Sequence, residues 1–134
     1  MGEDDKSYVS SSSYASHRAV SSLKLDNGLW EHTLFNSRLQ PTQIGLGASS
    51  ADSSALRLDY FYGTTDNNGN VKSQTITVLG ASSPYVQTYA YDPLNRLQSA
   101  EETVGAASNW KQAYSYDAAG NLLCYLEVLS GLCK

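Results

Sequence analysis

The chain has 134 residues, of which 41% are hydrophobic and only 16% are charged, and its formal net charge is −4. This length suits one domain, and the scattered basic residues argue against a nucleic-acid-binding face. No apolar run approaches the roughly 18–20 residues of a membrane helix, so we expect no membrane span.

The first 22 residues are polar and rich in serine. They lack the basic and apolar regions of a secretory signal peptide. Such a composition buries too little apolar area to offset the entropy lost on ordering. We therefore predict an N-terminal segment over residues 1–22 that is flexible or forms a broken edge strand.

Strand signals begin at residue 23 and continue along the chain. Asn27-Gly28 separates the apolar residues 23–25 from 29–35, which predicts a hairpin with a two-residue type I′ turn. Pro41 marks an edge strand or a bulge before residues 42–46. Further strands are predicted at 56–62, 71–79, 85–91, 97–104, 110–116 and 122–129. Residues 97–107 form the best helical window, but its β-branched residues and its place after a turn favour a strand.

Two segments of this pattern repeat 25 residues apart. Residues 89–97 are Tyr-Ala-Tyr-Asp-Pro-Leu-Asn-Arg-Leu, and residues 114–122 are Tyr-Ser-Tyr-Asp-Ala-Ala-Gly-Asn-Leu. Alternation places both tyrosines of a copy on one strand face. The aspartate can hydrogen-bond its own backbone, and Asn or Gly tolerates the left-handed conformation of a tight turn. The repeat-defining residues of these copies are Tyr89, Tyr91, Asp92, Asn95, Arg96, Leu97, Tyr114, Tyr116, Asp117, Gly120, Asn121 and Leu122.

Two degenerate copies extend the repeat toward the N-terminus. Tyr60 and Tyr62 form an earlier Tyr-x-Tyr strand with a longer turn, and residues 35–40 match residues 91–98 if two turn residues are missing. About four hairpin units then fill residues 23–129, followed by a C-terminal tail at 130–134. A hairpin with one aromatic face cannot bury that face alone, so each unit needs a neighbour.

The Tyr-x-Tyr-Asp-x-x-Gly/Asn-x-Leu pattern resembles the YD repeats of the Rhs family, over residues 23–123. The resemblance implies an all-β fold in which consecutive antiparallel β-hairpins form a strip of a β-shell. Full-length relatives include bacterial polymorphic toxins, shell components of insecticidal toxin complexes and teneurins, and in bacterial members the shell encloses a C-terminal toxic domain. It implies a secreted or cell-surface parent, with neighbouring YD repeats and a toxin cargo as partners. The family's core-end motif, Pro-x-x-x-x-Asp-Pro-x-Gly, is not found in these residues.

Catalytic and metal-binding interpretations are weaker. One interpretation of Asp92 and Asp117 is an acid and base pair, but a turn role in equivalent repeats is favoured. Residues 66–70 have the composition of a calcium loop, yet Gly69 falls at loop position 4 instead of 6, and Thr77 replaces the bidentate Glu. His17 and His32 lack zinc-ligand spacing. We predict no catalytic residue, no metal and no cofactor.

Two questions stay open, and one expectation about association is added. The ladder of aromatic residues serves packing between units or, as a second hypothesis, stacks against sugars of a glycan or cell surface. Cys124 and Cys133 form one loop disulfide or remain free. Exposed strand edges favour self-association of an isolated strip.

Overall fold

The computed structural model describes residues 7–125, with the backbone alone for 124 and 125. This part of the chain is entirely β and contains no helix, and its ten strands pair antiparallel in chain order from β1 to β10. The strands are β1 Val9–Tyr14, β2 Val20–Leu25, β3 Trp30–Phe35, β4 Pro41–Gly47, β5 Leu56–Phe61, β6 Ser73–Val78, β7 Tyr85–Tyr91, β8 Leu97–Val104, β9 Ala107–Tyr116 and β10 Leu122–Tyr125.

The predicted all-β fold of consecutive hairpins is therefore confirmed. The window 97–107 is strand β8 followed by a turn at Gly105, as the repeat predicted. Within the described residues, the structure has no helix with the length and apolar character needed to cross a membrane. The tail at 130–134 and the cysteine pairing lie outside the described residues.

Strands β1 and the start of β2 lie inside the Ser-rich segment. All six residues of β1 are exposed, and the β1–β2 pairing is irregular near both ends. Val9–Tyr14 thus forms an irregular strand at the edge of the sheet, as one of the two predicted alternatives describes. Serine side chains hold this edge, because the Ser13 hydroxyl lies 2.7 Å from that of Ser22.

The hairpin predicted at Asn27-Gly28 is present, but its turn type differs from the prediction. Leu25 and Leu29 are hydrogen-bonded, so three residues form the loop, and Gly28 has φ +85° while Asn27 does not have a positive φ. The Asn27 side chain instead accepts a hydrogen bond from the Leu29 N–H at 3.1 Å. A three-residue loop needs only one left-handed residue, whereas type I′ needs two.

The chain divides into two compact units, although the length suggested one domain. Unit 1 comprises Met1–Asp59 and Ile76–Ala81, and unit 2 comprises Tyr60–Thr75 and Ser82–Lys134. Unit 1 contains the β1–β2 and β3–β4 hairpins, and unit 2 contains the β7–β8 and β9–β10 hairpins. The boundary passes through β5 and β6.

Few side chains are deeply buried, because each described strand belongs to an open sheet. In unit 1 the buried polar residues are Ser22 and His32, and in unit 2 Tyr62, Ala100 and Glu102 are less than a tenth exposed. None of the described side chains is fully buried. Stability must therefore come largely from cross-strand pairs and backbone ladders instead of a thick core.

Three hairpins share a bulge one residue from the turn. The register shifts between Ser13 and Tyr14, between Leu34 and Phe35, and between Ala90 and Tyr91. Pro41, which lacks an N–H, lies at the second of these bulges, in agreement with its predicted role.

Candidate functional site

The turn at residues 92–96 is closed by backbone and side-chain bonds. The Asp92 N–H donates to the Arg96 carbonyl and the Asn95 N–H donates to the Asp92 carbonyl, both at 2.9 Å. One Asp92 carboxylate oxygen accepts the N–H groups of Leu94 and Arg96, each at 2.9 Å. The other lies 2.7 Å from Arg96 Nε. Asn95 has φ +61°, the left-handed conformation that the repeat predicted.

The turn at residues 117–121 repeats this arrangement. The Asp117 carboxylate accepts the N–H groups of Ala119 at 2.9 Å and Asn121 at 2.8 Å, and it accepts the Asn121 side-chain amide at 2.8 Å. Gly120 has φ +86°. Asp92 and Asp117 thus each cap a turn, as the hydrogen-bonding pattern of aspartate in turns predicted.

The same backbone turn occurs five times in the described residues. Its first N–H bonds to the fifth carbonyl, and its fourth residue has a positive φ and bonds back to the first carbonyl. We call it the five-residue turn. It spans residues 15–19, 25–29, 36–40, 92–96 and 117–121.

The turn at residues 36–40 corrects the alignment made from sequence. Asn36 accepts the N–H groups of Arg38 and Gln40, and its amide donates to the Gln40 side chain at 2.9 Å. Leu39 occupies the left-handed position with φ +64°. No residues are missing, so Gln40 aligns with Arg96 instead of Gln98. The match is hard to see in the sequence, because the left-handed position favours Gly or Asn and here it holds Leu39.

The electrostatics of the two aspartates suit a turn and not acid–base catalysis. The backbone N–H of Arg96, followed by its guanidinium, lowers the pKa of Asp92. The side-chain amide and N–H of Asn121 lower the pKa of Asp117. A carboxylate with a depressed pKa and occupied oxygens is a poor general base, and it cannot be the protonated acid near neutral pH.

The tyrosines that precede these turns contact the preceding hairpin. The Tyr91 hydroxyl donates to the Val71 carbonyl at 2.8 Å, and the Tyr116 hydroxyl donates to the Leu97 carbonyl at 2.7 Å. The Arg96 guanidinium lies 4.3 Å from the centre of the Tyr116 ring. Each tyrosine is half-buried. These contacts join successive hairpins of unit 2.

Unit 1 uses the corresponding position in the same way. Phe35 precedes the turn at 36–40, and its ring meets the ring of His17 edge-on at 4.6 Å. His17 belongs to the turn of the preceding hairpin. The aromatic residue before a turn therefore packs on the preceding hairpin in both units, with or without a hydroxyl.

The first tyrosine of each copy bonds to a glutamine two residues before it on its own strand, and the Tyr89 hydroxyl also lies 3.4 Å from Gln74 Oε1 on β6. The Tyr89 hydroxyl donates to Gln87 Oε1 at 2.6 Å, and the Tyr114 hydroxyl donates to Gln112 Oε1 at 2.7 Å. Tyr60 lies 3.5 Å from the Gln74 amide. Burial raises the pKa of Tyr89.

Tyr62 follows β5 at the start of the loop over residues 62–72. It is the most buried tyrosine in the described residues, with 9% exposed, and burial raises its pKa. Leu97 and Leu122 begin the return strands β8 and β10. The repeat-defining residues thus occupy turns, return-strand starts and strand faces. Four of them also line one cleft: Tyr89, Tyr91, Asp92 and Asn95.

Glu102 is a buried group that the sequence analysis missed. Its carboxylate accepts the amides of Gln87 at 2.7 Å and Asn109 at 2.6 Å, and it is only 8% exposed. The Gln87 amide, with that of Asn109, lowers its pKa. Glu102 lies opposite Gln87 across β7 and β8. That register was the signal which could have identified it, because alternation alone does not say which residues face each other.

A polar cleft of about 280 Å³ adjoins the turn at 92–96 in unit 2. The amides of Asn68 and Asn70 both donate to Asn95 Oδ1, at 2.8 and 3.1 Å. The cleft is lined by Asn68, Asn70, Lys72, Tyr89, Ala90, Tyr91, Asp92 and Asn95. Carboxamides beside aromatic rings are groups that sugars bind.

His32 is buried against glycine in unit 1. Its ring Nε2 lies 3.4 Å from Gln43 Oε1, and its Nδ1 is buried without a partner. A Cβ on Gly45 would lie 2.2 Å from the ring, so the glycine makes room for it. Among the described residues, no three His, Cys, Asp or Glu side chains are grouped as metal ligands.

No family model matches the chain, and no curated protein matches it significantly.

Proposed function

We propose that the chain is a non-enzymatic structural repeat segment, in which successive β-hairpins build a strip of sheet. The observation that carries the proposal is the recurrent contact between one hairpin and the one before it. Phe35 packs on His17, Tyr91 bonds to Val71, and Tyr116 bonds to Leu97. Side chains that make these contacts stabilise the neighbouring hairpin, and in this proposal they do not take part in catalysis.

Inter-hairpin register supports the same role. Ser22 lies opposite His32 in unit 1, and Ser99 lies opposite Ala113 in unit 2. In both pairs the first residue is third after a five-residue turn, at 15–19 or at 92–96. The second residue is fourth before another such turn, at 36–40 or at 117–121. A fixed register between units is what a nearest-neighbour repeat requires.

The parent protein in this proposal is an Rhs-like shell that encapsulates or delivers a toxin domain, secreted or at the cell surface. The resemblance of residues 89–97 and 114–122 to YD repeats supports it. Its partners are neighbouring YD repeats and the toxin cargo.

The coding sequence on either side of this segment tests the parentage. We expect further Tyr-x-Tyr-Asp units upstream and the core-end motif downstream. Flanking sequence that encodes neither, in an otherwise complete reading frame, would contradict an Rhs-like parent.

A carbohydrate- or cell-surface-binding module is the second candidate, and the cleft beside Asn95 favours it. Its carboxamides and the Tyr89 ring supply the polar and stacking groups that a sugar needs. The test is a glycan array with the intact protein and the Asn68→Ala and Asn70→Ala variants. Binding that both variants lose would support a sugar site; no binding by the intact protein would leave only the structural role.

A further inference from the structure

Tyr14 is an aromatic residue in the position from which other aromatic residues contact a preceding hairpin, and no hairpin precedes it within residues 7–125. It precedes the five-residue turn at 15–19 and pairs with Val20 beside a bulge, as Tyr91 pairs with Leu97. Phe35, Tyr91 and Tyr116 hold the same position. Those three are half-buried on a preceding hairpin, whereas Tyr14 is 63% exposed.

The other end of the chain presents the complementary surface. Tyr116 docks on the turn at 92–96 and on the carbonyl of Leu97, which begins β8. The turn at 117–121 and Leu122, which begins β10, repeat the backbone of this surface, with Asn121 in the place of Arg96. Leu122 is 57% exposed, and no strand of the described residues follows β10 in the sheet.

We propose that two copies of this chain associate head to tail, with the β1 edge of one copy docked on the β9–β10 hairpin of another. The Tyr14 ring packs on the turn at 117–121 of the second copy, and its hydroxyl donates to that copy's Leu122 carbonyl. The inference rests on the proposed structural role, because it extends the internal docking contact between molecules. It does not depend on a toxin cargo.

Backbone chemistry favours this contact. The Ala15 N–H bonds to Ala19 across the β1–β2 turn, and the Asp117 N–H bonds to Asn121. Because antiparallel strands alternate bonded and non-bonded pairs, the N–H and C=O of Tyr14 and Leu122 face away from their own hairpins. Two such edges can form a ladder by strand addition. The two surfaces differ, so the contact is heterologous and can be repeated by further copies.

Sedimentation velocity of the intact chain over a wide concentration range is the first measurement. We expect association that grows with concentration, and Tyr14→Ala should abolish it. Tyr8→Ala is the matched control, because Tyr8 is also exposed, at 78%, but does not precede a turn. A wild-type chain that stays monomeric throughout, or a Tyr14→Ala variant that associates normally, would overturn the proposal.

A mixing experiment tests the head-to-tail arrangement. Tyr14→Ala blocks one surface and Leu122→Pro blocks the other, by removing the outward N–H of β10. Each variant alone should be monomeric, and the two mixed should form a 1:1 dimer and nothing larger. A Leu122→Pro variant that dimerises alone would show that β1 edges pair with each other, and a mixture without dimers would equally reject the arrangement.

Folding of the blocked variants is checked by circular dichroism. If Leu122→Pro lowers the unfolding midpoint, Leu122→Lys replaces it, because an edge lysine opposes strand addition without altering the turn. Failure of association with Tyr-x-Tyr-Asp units still present in the flanking coding sequence would reject this inference alone and leave the proposed function standing.

Discussion

The turns at 15–19 and 92–96 have the same backbone but different side chains. Both place the fourth residue at positive φ, Arg18 at 67° and Asn95 at 61°. At 92–96 the Asp92 carboxylate caps the turn and pairs with Arg96. At 15–19 the first residue is Ala15, whose side chain has no hydrogen-bond acceptor. The comparison separates two contributions: the backbone bonds and left-handed residue define the shape, and the aspartate adds stability to it.

Asp92→Ala should have the largest effect among the variants that test this comparison. It leaves two turn N–H groups and the Arg96 guanidinium without their acceptor. We expect the thermal unfolding midpoint to fall by several degrees. The reciprocal change, Ala15→Asp, supplies a carboxylate to the uncapped turn and should raise the midpoint. A lower midpoint for Ala15→Asp would mean that the two turns are not equivalent.

Removing a docking hydroxyl should have the next largest effect. Tyr116→Phe leaves the Leu97 carbonyl without its donor, and we expect a loss of about 1 kcal/mol in the free energy of unfolding. Tyr14→Phe should cost almost nothing in the monomer, because that side chain is exposed. Urea unfolding at low protein concentration measures both. If both variants lost the same free energy of unfolding, the claim that Tyr116 contacts a preceding hairpin and Tyr14 does not would be contradicted.

Replacing Arg18, which has the left-handed conformation, with glycine should stabilise the turn at 15–19. Arg18→Gly removes a steric penalty but adds freedom to the unfolded chain, so we expect a net gain of roughly 0.5–1 kcal/mol. Ser16→Gly is the matched control, since it lies in the same turn without a positive φ and should be destabilising. Urea unfolding of both variants checks the sign, and a destabilised Arg18→Gly variant would contradict the steric argument.

The smallest expected difference between the two turns is in how their contribution to stability depends on pH. The folded-state pKa of Asp92 lies below its ordinary value of 3.8, so its stabilisation is complete above that value and is lost as pH falls through the folded pKa. Urea unfolding between neutral pH and pH near 3 should show stability decreasing with acid. Asp92→Asn should make the decrease shallower, whereas Ala15→Ser, which adds no titrating group, should leave its slope unchanged.

Sequence reasoning succeeded where the determining interactions are local. The hairpins follow from alternation and turn residues, and Asp92 and Asp117 bond to N–H groups only two and four residues away. The fold class and the two strongest turns were therefore predictable.

It failed where the backbone overrode residue preference or where register mattered. Ala15 and Arg18 carry no turn signal, so the sequence did not locate the turn of the first hairpin. Leu39 in a left-handed conformation led to an alignment gap that the structure does not have. Glu102 became visible only through its cross-strand partner Gln87, 15 residues away. Cross-strand pairing is set by the whole hairpin and not by the nearest neighbours in sequence.

The identity of strand order and chain order has a consequence for how such a chain can lengthen. In the described residues, the strands that are neighbours in the sheet are also neighbours in the chain. Duplication or deletion of one whole hairpin therefore breaks no pairing between strands that are distant in sequence. The hairpins on either side of the change can still pair with each other as neighbours. In the described residues each strand pairs with strands next to it in the chain, which also favours stepwise formation as the chain emerges during synthesis. Adding or removing whole hairpins is thus the change in length that disrupts this sheet least.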